Sequence, residues 1–168
     1  MNQPKRLRRN STRWPGHDYR HRGAYFITLV TRQREMLFGD IRDNRMILNS
    51  WGTIAHTAWH STTPLRPDVT LADLIVMPNH VHAIIHLIEA PAGVPPSSIT
   101  DIIRGYKGTV TAAIRRVSGI HDLDCIWQRN YHDRVIRNED EYRRIAEYIR
   151  ENPARWQHDC FNSLTIAT

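Results

Sequence analysis

The chain has 168 residues, of which 40% are hydrophobic, 24% charged and 8% aromatic; this length fits one domain with a real core, and the composition excludes a disordered protein. The formal charge is +6, and two cysteines, Cys125 and Cys160, are too few for a disulfide framework and are not spaced as a zinc site. No apolar run approaches the ~18 residues of a membrane span and none follows the N-terminal charges, so neither a span nor a secretory signal is expected and the cytoplasm is the default compartment.

The positive charge is unevenly placed. Residues 1–22 hold Lys5, Arg6, Arg8, Arg9, Arg13, Arg20 and Arg22 against Asp18 alone, which leaves 16 charges of each sign in the other 146 residues. Among the 23 basic residues only Lys5 and Lys107 are lysine. Arginine's planar fork grips phosphate at two points and stacks on bases, so this balance points to a nucleic-acid partner, beside the plainer reading of a solvated basic tail. Residues 1–21 lack periodicity and contain Pro4, Pro15 and Gly16. They read as an extended arm in which Trp14 and Tyr19 are available to stack on bases.

The core begins near Gly23. Residues 24–31 (AYFITLVT) are rich in β-branched and aromatic types and predict a first strand, followed by a polar connection through Gly39. From about Asp43 to His60 the apolar positions Ile47, Trp51, Ile54, Ala55 and Ala58 fall at steps of three and four, which predicts a helix closed by a turn around Pro64 to Asp68. Residues 69–76 and 81–88 are apolar runs joined by Met77, Pro78, Asn79 and His80, and predict adjacent antiparallel strands. Ser98 and Asp101 have capping-box spacing ahead of Ile99, Ile103, Tyr106, Val110, Ile114 and Val117, a second helix ending near Gly119. A fourth strand is predicted around Cys125 to Ile136, and Asn138 with Glu141 opens a third helix that runs to about Asn152 before Pro153. The order β-α-β-β-α-β-α predicts an α+β fold: a ferredoxin-like antiparallel sheet with helices packed on it.

Two groups of residues can carry chemistry. His80 and His82 flank Val81 at the start of a strand, so both imidazoles point to one face while Val81, Ala83, Ile85 and Leu87 point to the other. Two neutral imidazoles so placed can hold one divalent cation, and they also suit a half-exposed sheet face without one. His86 follows on the same face, as a supporting group or a surface histidine. On the third helix Tyr142, Ile145, Ala146 and Ile149 form the core stripe, while Tyr148 stands at its edge with Asn152 one turn later. By position alone this pair fits either a site beside the sheet or a boundary tyrosine and a helix C-terminal amide.

The stretch Met77 to Leu87, MPNHVHAIIHL, together with IWQRNYHDRVIRNEDEYRRIAEYIRENPARW from Ile126 to Trp156, resembles the HUH single-tyrosine transposases, and within them the REP-associated tyrosine transposase branch. The similarity covers nearly the whole chain and keeps the motifs in order: the YFITLVT strand, the His-hydrophobic-His strand, the WQ strand with its downstream IRN, and the Y-I-x-x-N-P helix end. The resemblance implies an HUH endonuclease-type domain over residues 23–156, between a basic DNA-contacting arm at 1–22 and a tail at 157–168. It implies His80 and His82 as metal ligands, Asn152 as a third polar ligand and Tyr148 as nucleophile, ahead of Tyr106, Tyr142 and the rival Tyr131. The implied reaction is cleavage and rejoining of single-stranded DNA with palindromic hairpin repeats, using Mg²⁺ or Mn²⁺ and a 5′-phosphotyrosine intermediate. Arg6, Arg8, Arg9, Arg13 and Trp14 on the arm, with Arg104 and Lys107 on the second helix, are the expected DNA contacts. The protein is expected to act as a monomer or homodimer. Two other readings stay open: a transposase-derived DNA-binding regulator without cleavage, and a metallohydrolase in which water attacks.

Overall fold

The computed structural model describes residues 21–62, 66–119 and 126–162. In chain order its elements are β1 (Gly23–Val30), β2 (Gly39–Arg42), β3 (Arg45–Leu48), α1 (Ser50–His60), β4 (Val69–Val76), β5 (His80–Leu87), α2 (Ile99–Ser118), β6 (His132–Ile136) and α3 (Glu139–Glu151), with 3-10 turns at Arg32–Arg34 and Trp156–His158. The expected α+β fold is present. Four strands form an antiparallel sheet in the order β4-β5-β1-β6, the ferredoxin-like arrangement in which the two central strands are neighbours in space and remote in sequence. Among the described residues no helix is long and apolar enough to cross a membrane.

Strand alternation divides the interior in two. Tyr25, Ile27 and Leu29 of β1 and Val81, Ala83 and Ile85 of β5 face α1 and α2, meeting Trp59, Ile103, Tyr106 and Val110 in the larger core. The opposite face offers Phe26, Ile84 and Ile136 to Ala146 and Ile149 of α3, with Tyr142, Ile145 and Tyr148 packed at the margin. This is the apolar stripe expected on the third helix. Each of these fully buried aliphatic side chains contributes roughly 1.5–3 kcal/mol of transfer free energy, so the α3 stripe is sufficient to seat that helix on the sheet. A one-residue bulge in β4, where Leu71 pairs with Ile85 but Leu74 with Ala83, lies at Asp73, whose carboxylate meets Arg150 of α3 at 3.1 Å.

Two elements depart from the sequence reading. Residues 43–48 are not the first turns of a helix: they belong to the β2–β3 hairpin, whose turn residues Asp43 and Asn44 have φ of 48° and 59°. Successive left-handed residues make a primed hairpin turn, which Asp and Asn tolerate. Ile47, read as the first apolar position of the helical stripe, is 48% exposed on β3, and α1 starts where the Asn49 side chain accepts the Gly52 N–H. The fourth strand is also shorter than the expected 125–136. Trp127 bridges Thr31 and His132 pairs with Thr28, so five steps on one strand face three on the other and the ladder breaks between them. Cys125 lies outside the described residues.

Candidate active site

The two histidines of β5 lie where the sheet's central strands pair, His82 opposite Thr28 and His80 opposite Val30 of β1. Period-2 alternation turns both imidazoles toward α3, and their ring centroids are 4.5 Å apart. His80 is fully buried and His82 is 2% exposed. His82 Nδ1 lies 2.8 Å from Thr28 Oγ1 and His80 Nδ1 lies 2.9 Å from Asn79 Oδ1, so in both rings the δ nitrogen is engaged and Nε2 faces the space beneath α3. Burial drives both imidazoles below their ordinary pKa; for His80 the carboxylate of Asp159 and the Asn152 amide oppose that shift, and for His82 the neighbouring His80 adds to it. Both rings are therefore neutral near pH 7, with lone pairs available.

The last turn of α3 delivers the phenol. Tyr148 Oη is 3.2 Å from His82 Nε2, and its ring meets those of His82 and Phe26 at centroid distances of 5.2 and 6.2 Å. Burial, with the negative charge of Asp159 as a smaller cause, pushes the Tyr148 hydroxyl up to about 12, so it stays protonated near pH 7. The phenol and the paired imidazoles thus lie together within a single chain. One turn on, Asn152 is fully buried, and its Nδ2 donates to Asp159 Oδ2 at 3.0 Å.

Asp159 was not among the residues singled out from sequence. It follows the 3-10 turn Trp156–His158 in the segment expected to be a tail, yet it is 7% exposed and its Oδ2 lies 4.0 Å from His80 Nε2. Donor atoms of His80, His82 and Asp159 all fall within 4.8 Å of one another, a spacing that one ion can bridge. The test of fit is what lacks a partner: His80 Nε2 and Asn152 Oδ1 are both buried without a hydrogen bond. Buried polar atoms are nearly always satisfied, and a cation bound here would satisfy a nitrogen and an oxygen at once. Phe161 and Trp156 close over His80 at ring distances of 4.8 and 5.9 Å.

Of the expected DNA contacts, only Arg104 and Lys107 fall among the described residues. Arg6, Arg8, Arg9, Arg13 and Trp14 lie outside the described residues. Arg104 pairs with Asp101 one turn away, and Lys107 Nζ donates to the carbonyls of Gln128 and Asn130 at 2.8 and 3.2 Å; both sit on α2, across the sheet from the histidines. Tyr131, the rival nucleophile, is also on that side, with its hydroxyl 3.2 Å from Thr100 Oγ1 at the start of α2. Tyr106 donates to the Ala55 carbonyl in the same core.

With that geometry in place, comparison with known proteins is decisive. Residues 21–152 match the family described as "Transposase IS200 like", a span that contains both histidines, the tyrosine and Asn152. The chain belongs to the IS200-like transposase family. It is similar to an uncharacterized protein of Haemophilus influenzae, 36% identical over an alignment of 167 residues that covers 90% of this chain and 91% of that one. Among solved structures it shares its fold with a REP-associated tyrosine transposase bound to a REP hairpin (TM-score 0.60, 23% identity, 86% of this chain and 74% of that one). A transposase-like protein of Deinococcus radiodurans shares it as well (TM-score 0.50, 17% identity, 82% and 95% covered).

Proposed function

We propose that this transposase is a divalent-metal-dependent endonuclease and strand transferase for single-stranded DNA bearing a hairpin, with Tyr148 as its nucleophile. The observation that carries the reading is the 3.2 Å approach of the Tyr148 hydroxyl to His82 Nε2, beside a nitrogen and an oxygen that are buried and unpartnered. Supporting it, a relative of the same fold is described as bound to a REP hairpin.

His80, His82 and Asp159, with the Asn152 amide oxygen, would hold the cation, Mg²⁺ or Mn²⁺. Once bound, it would polarise the scissile phosphate, offset charge growing on its oxygens and favour the phenolate over the phenol. The chain's own groups do the rest. Tyr148 Oη attacks phosphorus, the Oη–P bond forms as the P–O3′ bond breaks, and the released O3′ takes a proton to leave a free 3′-hydroxyl and a 5′-phosphotyrosine. The phosphodiester energy is retained, so a second 3′-hydroxyl can reverse the step and join strands. His82 Nε2 cannot hold a cation and the Tyr148 hydrogen bond at once, so a cation held there would leave the Tyr148 hydroxyl free of that contact. Access requires the cover formed by Phe161 to move aside, since both imidazoles are shielded. Arg6, Arg8, Arg9, Arg13 and Trp14 of the arm would grip the DNA backbone and stack on bases, and one chain suffices for the chemistry.

The test is to incubate the full chain with labelled hairpin-bearing single-stranded DNA and Mn²⁺. A denaturation-resistant adduct that vanishes in Tyr148→Phe is the expected result. Cognate DNA bound without any adduct would instead support a regulator, the reading that the shielding of His80 and His82 favours.

A further inference from the structure

We propose that Asn79 is the positioning residue that presents His80 Nε2 to the cation, and that it ties this presentation to the docking of the segment from Asp159 to Asn162. The inference rests on the metal reading above. It starts from an amide whose orientation its surroundings decide. Asn79 is fully buried, and its Nδ2 lies 3.1 Å from the Arg34 carbonyl and 2.7 Å from the Phe161 carbonyl. Both partners can only accept, so the amide NH₂ must face them, and the two ends of the side chain cannot be exchanged without opposing oxygen to oxygen. Oδ1 is then the atom that meets His80 Nδ1 at 2.9 Å. A carbonyl oxygen has no proton to give. His80 Nδ1 therefore carries the hydrogen, and on a neutral ring Nε2 is left as a bare lone pair aimed at the donor cluster.

The chain of dependence runs from main chain to metal ligand. The Phe161 carbonyl and the Arg34 carbonyl fix the amide, the amide fixes the tautomer, and the tautomer makes His80 a ligand through the nitrogen that otherwise has no partner. The segment that supplies one of these carbonyls also supplies Asp159, and Arg34 grips it twice, donating to the Cys160 carbonyl at 2.9 Å and lying over the Phe161 ring at 5.5 Å. Docking of 159–162 thus delivers a carboxylate and sets an imidazole in one event. Asn79 itself is held by its backbone, whose carbonyl accepts the Thr31 N–H at 2.8 Å.

The experiment reads the tautomer first, by long-range nitrogen–proton NMR of the imidazoles in the metal-free full chain. His80 is expected as the Nδ1–H form; an Nε2–H form in the wild type overturns the proposal without any variant. Calorimetric titration with Mn²⁺ then compares the wild type with Asn79→Ala and Asn79→Asp. Loss of the acceptor in Asn79→Ala is expected to mix the tautomers and weaken Mn²⁺ binding by about 10- to 100-fold, the range seen when ligand-orienting partners are removed. Asn79→Asp keeps an acceptor for His80 but loses both donors, so it should restore the tautomer while amide exchange at Asn162 accelerates. Unchanged tautomer and affinity in Asn79→Ala, or unchanged exchange in Asn79→Asp, would overturn it. A wild type that shows the Nδ1–H form but takes up no Mn²⁺ would refute the metal reading and leave the orienting role intact.

Discussion

At Tyr148 the phenol is pushed up to about 12, and below that value the phenolate fraction grows about tenfold per pH unit. A bound cation would favour the phenolate, so adduct formation at saturating Mn²⁺ is expected to rise with pH from a lower pH than the metal-free phenol requires, and a single-turnover pH profile that stays flat from acid to alkaline pH would contradict deprotonation before attack. The histidines respond in the opposite direction. His80 and His82 lie below their ordinary value of 6.5, so the unfolded chain binds protons that the folded one refuses. Stability is complete above that ordinary value and is lost as pH falls through it, at about 1.4 kcal/mol per pH unit for each refused proton. Thermal unfolding of metal-free protein from neutral to mildly acidic pH should show this decline, and His82→Asn should make it shallower. Alternation along one strand made the facing of both imidazoles legible from sequence. Their depressed basicity was not, because it comes from burial under Phe161, Trp156 and α3.

At the scale of elements, α3 is the part that brings Tyr148 to the histidines. Asn138 caps it by accepting the Glu141 N–H at 2.9 Å, and the Glu141 carboxylate accepts the Arg137 N–H at 2.8 Å while pairing with Arg134. Asn138→Ala should cost about 0.5–2 kcal/mol, and Ile149→Ala, beneath the tyrosine, about 2–5 kcal/mol, both measured by chemical denaturation. If Ile149→Ala left both stability and adduct yield unchanged, α3 would not be the rigid support described here. The cap spacing Asn138–Glu141 and the stripe Tyr142, Ile145, Ala146 and Ile149 were written in the sequence because both are local rules. The β2–β3 hairpin was not: Ile47 continues the helical spacing of Trp51 and Ile54 by coincidence, and the turn at Asp43 and Asn44 lacks the glycine that usually signals it. Residues 127–132 misled in a similar way: Ile126 and Trp127 on one side and Val135 and Ile136 on the other read as strand, and nothing in the polar stretch between them shows that the ladder is interrupted.

At the scale of the molecule, the site is assembled from β1, β5, α3 and the segment beyond Trp156, which meet only because the sheet places β5 next to β1 and α3 crosses that pair. Three of these contributors announce themselves by periodicity or motif. Asp159 does not, because it lies outside any regular element and its role depends on the chain folding back over His80. Asp159→Ala is expected to lower Mn²⁺ affinity by roughly tenfold or more, since affinity for a hard cation follows the charge of its ligands; calorimetry that finds no change would remove it from the donor set. The central claim, that Tyr148 forms the bond to DNA, is tested most directly by mass spectrometry of the trypsin-digested protein–DNA adduct. The result expected is a nucleotide joined through its 5′-phosphate to the fragment Ile145–Arg150, IAEYIR. A linkage on the fragment containing Tyr131 or Tyr142, or cleaved DNA with no linked peptide at all, would contradict it.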